Sequence, residues 1–339
     1  MSFPLHIPFH VYSNCIPIKG NLRSAIYDLQ RNDFDYIPNS LFEILTHYRD
    51  KTVEHVLKDI LSNDDKDILL TYFEFLYDNE YIFFSTLNSK YFPKLKIALP
   101  KPYNISCLII DILEIDTLLL NKLKIEVKNT KIECLIFRFK TVNYSILKNI
   151  TEFFNDIPVR TIELYIEYNS TITDNQINDL IETNKRVSII VKYNSPTQNV
   201  KNLTYGKIVY SDKNIMGNQN KINNIADFDV NIDLFIESKT YHNYFNKRIY
   251  INSKGDIYRF ENDNLIFGNI KETEILSLLK NKKFTEFWSI KKDNIFICNK
   301  CEYRYMCVDN RRPMFLNKDN FWVLEGECNY NLSTAKWKS

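Results

Sequence analysis

The chain has 339 residues, 45% of them hydrophobic and only six of them glycine, and its 44 Lys plus Arg against 42 Asp plus Glu leave a formal charge of +2. That length buries a full core and suits two or three domains. The near balance of charge argues against a broad phosphate-binding face and so against nucleic acid as a partner, and the shortage of glycine leaves little material for a nucleotide loop.

The opening MSFPLHIPFHVYSN has neither a basic start nor a long apolar run, and no later stretch approaches the roughly eighteen uninterrupted apolar residues of a membrane span. No membrane association is expected, and the cytoplasm is the expected location. From 7 to 37 the short runs HIPFHVYS, RSAIYDLQ and FDYI read as small strands. Apolar spacing after Asn39 predicts helices at 39–48, 51–60 and 64–77, closed by the strand-like YIFFS at 80–84. Residues 1–95 thus form a compact α+β unit with a winged-helix-like pattern. An exposed strand edge beside a helix would there accept an extended peptide, and a plain scaffold fits the same pattern.

From 100 to 240 the pattern repeats. Apolar strand candidates fall at 105–113, 131–138, 160–168, 186–192, 205–210 and 230–236, separated by segments that include helices at 143–154 and 173–183. Such spacing predicts an α/β region with a parallel sheet curved into a partial (β/α) barrel. Catalytic groups belong at the C-terminal strand ends of such a region. The residues there are Asp111, Glu114, Arg138, Lys140, Glu167, Lys192, Asp212 and Glu237, which read as solvated charges or ion-pair partners and supply no catalytic residue. Cys107 and Cys134 lie inside strands and read as core.

In the third region, 241–339, IYIN and DIYRF flank a turn at Ser253–Gly255 and predict a hairpin that shields a metal centre. That centre is the most informative feature of the chain. Cys298, Cys301 and Cys307 fall in CNKCEYRYMC, and Cys328 follows in GEC. Four thiolates suit tetrahedral zinc or a [4Fe-4S] cluster, and spacing alone does not separate the two. Backbone amides near sulfur would offset its charge, Tyr303, Tyr305 and Trp322 would exclude water, and Arg304 would stand behind the ligands. Structural metal binding can be worth about 10–16 kcal/mol of folding free energy, so this region is expected to be disordered without its metal.

These residues carry a resemblance. The chain resembles the SPASM-domain peptide maturases of grasp-with-spasm systems, in which an ATP-grasp ligase modifies a ribosomally made precursor peptide. The likeness runs through YSNCIPIKGNLRSAIYDLQRNDFDYIPN at 12–39, YNISCLIIDI at 103–112, YFNKRIYINSKGDIYRF at 244–260, FGNI at 267–270 and the cysteine segment at 298–328. It implies that Cys298, Cys301, Cys307 and Cys328 hold one outer iron–sulfur cluster. It also implies a radical SAM-like partial barrel and an N-terminal domain that binds a leader peptide, with Phe34, Tyr36 and Ile37 and the helix near 64–77 as the groove. Cys15 falls in the family-like opening and reads as a buried or turn residue.

The departures from that pattern are as specific. Arg311 and Phe260 stand where the inner cluster of such domains has cysteines, and His242 is the only metal-capable side chain near a third missing position. The resemblance therefore implies one cluster, not two. After the strand at 105–113 the chain reads EIDTLLLN, without the cysteine triplet that binds the S-adenosylmethionine cluster. The expected function is that of a non-catalytic partner that presents precursor peptide to the ligase for cross-linking by ester formation. The alternative is a redox enzyme that uses the remaining cluster on the peptide.

Overall fold

The structure, a computed structural model, describes residues 3–98, 101–214, 222, 224–316 and 321–338. It divides into two compact units. One comprises Met1–Leu99, Lys221–Asn243 and Ile290–Ser339, and the other Pro100–Asn220 and Tyr244–Ser289.

The first unit begins with β1 (Phe9–Val11) and a three-stranded antiparallel meander of β2 (Cys15–Ile18), β3 (Ser24–Asp28) and β4 (Asp33–Ile37). Asp28 fixes the turn between β3 and β4, its Oδ1 accepting the amides of Gln30 and Arg31 at 2.9 and 3.0 Å. Asn32 takes the left-handed conformation there, which a short polar side chain tolerates. Three helices follow: α1 (Asn39–His47), α2 (Val53–Lys58) capped by Thr52, and α3 (Asn63–Asp78) capped by Ser62. Each cap accepts a backbone amide of the first turn, which satisfies a donor the helix leaves open. β5 (Ile82–Phe84) then pairs antiparallel with β1. Ile26, Ile37, Leu41, Leu45, Val53 and Phe73 make one buried core between the helices and the small sheets. These helices and β5 fall where the apolar spacing predicts them.

The second unit is a mixed α/β layer. β6 (Ile105–Ile112), α4 (Thr117–Thr130), β7 (Ile132–Phe139), α5 (Tyr144–Phe153), β8 (Thr161–Glu167), α6 (Asp174–Thr183) and β9 (Val187–Tyr193) form consecutive strand and helix units, and all three strand pairs are parallel. β10 (Asn199–Asn202) and β11 (Lys207–Tyr210) extend one edge. α7 (Ile232–Ser238) belongs to the first unit. β12 (Arg248–Ile251) then joins β6 in parallel and turns back as β13 (Ile257–Tyr258). The sheet order is β10-β11-β9-β8-β7-β6-β12-β13. Leu108, Ile110, Leu135, Phe137, Leu164 and Ile190 face the helices in one core, and alternate residues line the opposite face.

Four local differences from the sequence reading have physical causes. The run at 230–236, expected as a strand, is α7, because the Asn231 side chain accepts the Leu234 amide at 2.8 Å and nucleates a turn. The helix α4 was not anticipated although Leu119, Leu120, Leu123 and Val127 follow helical spacing behind an Asp116 cap. The polar, exposed β10 has no hydrophobic signal to read. The hairpin at Ser253–Gly255 is present, but its strands complete the sheet of the second unit. Gly255 has φ +89°, the region glycine enters without strain.

The chain continues in the second unit with the short helix α8 (Ile275–Leu278). Back in the first unit, β14 (Pro313–Leu316) pairs with β15 (Phe321–Leu324), and β16 (Tyr330–Asn331) with β17 (Lys336–Trp337). Among the described residues no helix is long and apolar enough to cross a membrane.

Candidate metal centre

Cys298 opens a short 3-10 turn at Cys298–Lys300 and Cys301 ends it, its amide bonded to the Cys298 carbonyl at 3.0 Å. The buried Tyr303 and Met306 lead to Cys307, whose amide reaches the Tyr303 carbonyl at 3.0 Å. Cys328 comes from the loop between β15 and β16. All four are free thiols and line one cavity of about 540 Å³, together with Lys292, Asp309, Arg311 and Gly326. The structure thus gathers the distant Cys328 with the three clustered cysteines. Among the described residues, no group of three or more His, Cys, Asp or Glu side chains is arranged to hold a single metal ion.

The loop between the ligands is fixed from the N-terminal meander, within the same unit. Tyr27 on β3 donates its hydroxyl to the Glu302 carbonyl at 2.5 Å. The Glu302 carboxylate, 1% exposed, accepts Arg23 Nε at 3.0 Å and the Tyr330 hydroxyl. Arg304 donates to the carbonyls of Lys19 at 2.6 Å and Cys301 at 2.8 Å. Tyr303 is surrounded by the rings of Phe34, Tyr36, Phe228, Tyr330 and Trp337. A short polypeptide with two ligands therefore inherits the rigidity of a sheet, which is how thiols are held in place without a helix of their own.

The electrostatics suit an anionic guest. Burial pushes the Cys298 thiol up, Cys301 well up, and Cys307 up to about 12, while the Lys292 charge opposes the rise at Cys298 and Cys307. The backbone amides of Tyr303 and Asp309 bond the sulfurs of Cys301 and Cys307 and favour their thiolate forms. Burial works to discharge Lys292, but the charges of Cys307, Asp309 and Cys298 more than offset it and hold its proton more tightly than usual. Arg311 chelates Asp309, with Nε 3.0 and 2.9 Å from the two carboxylate oxygens, and donates from Nη1 to the Gly326 carbonyl at 3.0 Å. Arg311 thus steadies the loop carrying Cys328.

The other residues singled out from sequence are dispersed. Phe34 and Tyr36 share the face of β4 that meets Tyr303, the two tyrosine hydroxyls lying 2.5 Å apart, whereas Ile37 points the other way and is 2% exposed in the helical core. His242 is fully buried in the first unit and is not in the cavity wall; burial, then the Lys292 charge, holds its imidazole well below the usual range. Phe260 sits in an aromatic group of the second unit with Phe245 and Phe287, at 5.0 and 5.9 Å. Asp111 accepts Arg138 Nε and the Tyr250 hydroxyl, each at 2.6 Å, and Arg138 also grips Glu261, so these are structural pairs. Lys192 is buried on the Ile172 carbonyl. Cys107 and Cys134 face each other across β6 and β7, and Cys15 is buried on the Glu80 carbonyl side. Trp322 pairs with Phe315 on the β14–β15 hairpin and does not line the cavity. Lys292 and Asp309 carry no sequence signal: KKDNIF and CVDNRR read as solvated loops, and only the fold buries them.

With this geometry in place, likeness to known proteins sharpens the assignment. Residues 243–302 match the SPASM iron–sulfur cluster-binding domain, a span that includes Cys298 and Cys301. No curated protein matches the chain. Among solved structures, crystal structures of Streptococcus suis SuiB bring distant similarity. The form bound to S-adenosylmethionine is 9% identical with a TM-score of 0.30, and a second is 11% identical with a TM-score of 0.27. Each covers 88% of this chain and 94% of its own. Scores this low carry no structural argument, and the iron–sulfur assignment rests on the domain match and on the cysteine cavity.

Proposed function

We propose that this chain is a non-catalytic maturation partner. It binds a ribosomally made precursor peptide and presents it to an ATP-grasp ligase, which cross-links it by ester formation. The observation that carries the reading is the single cavity lined by Cys298, Cys301, Cys307 and Cys328, next to a sheet with a free edge. The four thiolates would hold one [4Fe-4S] cluster. Four thiolates also suit zinc, and the match of residues 243–302 to an iron–sulfur cluster-binding domain favours the cluster. When bound, the cluster would staple the C-terminal loops together and provide one-electron chemistry.

Peptide capture falls to the N-terminal part of the first unit. β4 is paired only with β3 among the described strands, so its outer edge is free to add an extended leader segment through main-chain hydrogen bonds. Tyr81, just beyond α3, donates to Asp35 on β4 at 2.7 Å and brings the end of that helix beside the edge. The exposed face of Tyr36 would anchor one leader side chain, and Phe34 and Ile37 would stiffen the strand from either side. In the second unit β6 passes into α4 through four residues, with Asp116 accepting the Leu119 amide at 3.0 Å. That turn offers no thiols for an S-adenosylmethionine cluster, and the layer would serve as scaffold or peptide surface. Holding both reacting groups near the ligase would lower the entropy cost of bringing them together.

Reconstitution tests this reading. Precursor and ligase are incubated with ATP and magnesium, with and without the anaerobically prepared chain, and products are followed by loss of one water per linkage. The chain should accelerate cross-linking without S-adenosylmethionine. Product formation unchanged by its addition rejects the partner role, and a strict need for S-adenosylmethionine and reductant makes it an enzyme instead.

A further inference from the structure

We propose that Lys292 is the built-in countercharge and hydrogen-bond donor for the iron–sulfur cluster, placed to make the bound cluster easier to reduce. The inference rests on assigning the four cysteines to one cluster. Lys292 lies on a short 3-10 turn at Lys292–Asn294, is 1% exposed, and its Nζ has no hydrogen-bond partner. A buried ammonium without a hydrogen bond is unfavourable and is retained only where something else compensates it.

The protein's carboxylates offer Lys292 charge, chiefly from Asp309, but no hydrogen bond to its Nζ. Five cations line the cavity: Lys292, Lys300, Arg304, Arg311 and Lys338. Arg304 is paired with Asp293, Arg311 with Asp309 and Lys338 with Glu327, while Lys300 reaches solvent. Asp309, the carboxylate nearest in charge to Lys292, is already chelated by Arg311 through three contacts. Of these five, Lys292 is the buried cation whose charged nitrogen makes no hydrogen bond, and it stands in the same wall as Cys298 and Cys307. A cluster held by four thiolates is net negative and becomes more so on taking up an electron. A fixed, buried positive charge stabilises the reduced form more than the oxidised one, because the attraction grows with the added charge.

Lys292→Met removes charge and donor, and Lys292→Gln keeps a donor without the charge. The test compares them with the wild-type full-length chain, prepared anaerobically and reconstituted with iron and sulfide. Midpoint potentials come from dithionite titration, and unfolding by urea is measured with and without the cluster. In Lys292→Met the potential should fall, with a loss on the order of tenfold in the equilibrium constant for reduction. Lys292→Gln should fall by a similar amount, and a Lys292→Gln potential equal to wild type overturns the role of the charge. The stability that the cluster adds should be smaller in Lys292→Met than in wild type. A wild-type chain that takes up no iron and sulfide overturns the cysteine assignment and this role together. A loaded wild type whose potential matches that of loaded Lys292→Met overturns the role of the lysine alone. So does a cluster that stabilises Lys292→Met against urea as much as it stabilises wild type.

Discussion

Tyr27 and Glu302 are 275 positions apart in the chain, yet the tyrosine hydroxyl donates to the glutamate backbone carbonyl at 2.5 Å in a fully buried contact. The bond joins the middle of β3 to the residue that follows Cys301. Burial, then the charge of Cys301, holds the phenol proton well beyond its usual range, so Tyr27 remains a donor at any working pH. Tyr27→Phe should cost about 1–3 kcal/mol of stability, because the carbonyl it leaves is buried and loses its partner. It should also speed the bleaching of the visible cluster absorbance in air. Unchanged bleaching together with unchanged urea midpoints would show that the metal loop does not depend on the sheet.

Asp309 and Arg311 give the site an acid limit. Burial works to raise the Asp309 carboxyl, but the Lys292 charge and the Arg311 hydrogen bonds outweigh it and hold it below the ordinary 3.8. A depressed folded value means stability that is present above 3.8 and lost as pH falls through and below that range. Asp309→Asn should lower stability at neutral pH and flatten the acid limb of a denaturation series. An acid limb of the same slope in the variant would assign that limb to other carboxylates.

The legible and illegible parts of this chain divide on a physical line. Helices α1, α2 and α3 and strands β6 to β9 are written in local periodicity and capping residues, which a single sequence displays. The four cysteines are legible because thiol spacing is chemically unusual. Lys292, Asp309 and the Tyr27–Glu302 bond are not, since each depends on contacts between segments far apart in the chain, and a lysine in KKDNIF has the look of a solvated one until the fold encloses it. For the same reason Phe34 and Ile37, three positions apart in β4, serve opposite faces, an alternation that sequence allows but does not orient.

Each of the four cavity cysteines should be separately required for the metal, and the other three should not. Cys298→Ala, Cys301→Ala, Cys307→Ala and Cys328→Ala are expected to lower iron and sulfide content severely, Cys328 as much as the rest despite its distance in sequence. Cys15→Ala, Cys107→Ala and Cys134→Ala should retain wild-type metal content, since those thiols lie in a strand of the small meander or within the sheet of the second unit. Metal analysis with absorbance spectra decides the matter. Two clusters per chain, or full loading without Cys328, would contradict the single four-thiol site.

Ile297, the residue before Cys298, adopts φ +74° and ψ −54°, the rare γ-turn geometry that β-branched side chains strongly disfavour. Such strain costs about 1–3 kcal/mol and persists only where the surroundings impose it. Here the bond from the Phe296 amide to the Trp322 carbonyl at 2.7 Å and the bond from the Lys300 amide to the Ile297 carbonyl at 3.1 Å fix the chain on either side and aim Cys298 at the cavity. The side chain itself is 50% exposed, so little burial is lost by removing it. Ile297→Ala keeps the disfavoured backbone and Ile297→Gly relieves it. Glycine adds chain entropy to the unfolded state, worth about 0.5–1 kcal/mol against it. Even so, Ile297→Gly should be more stable than Ile297→Ala by roughly 1 kcal/mol in the cluster-free chain. Urea unfolding of the two variants side by side checks this, and alanine equal to or better than glycine would mean that the backbone at this position is relaxed in solution.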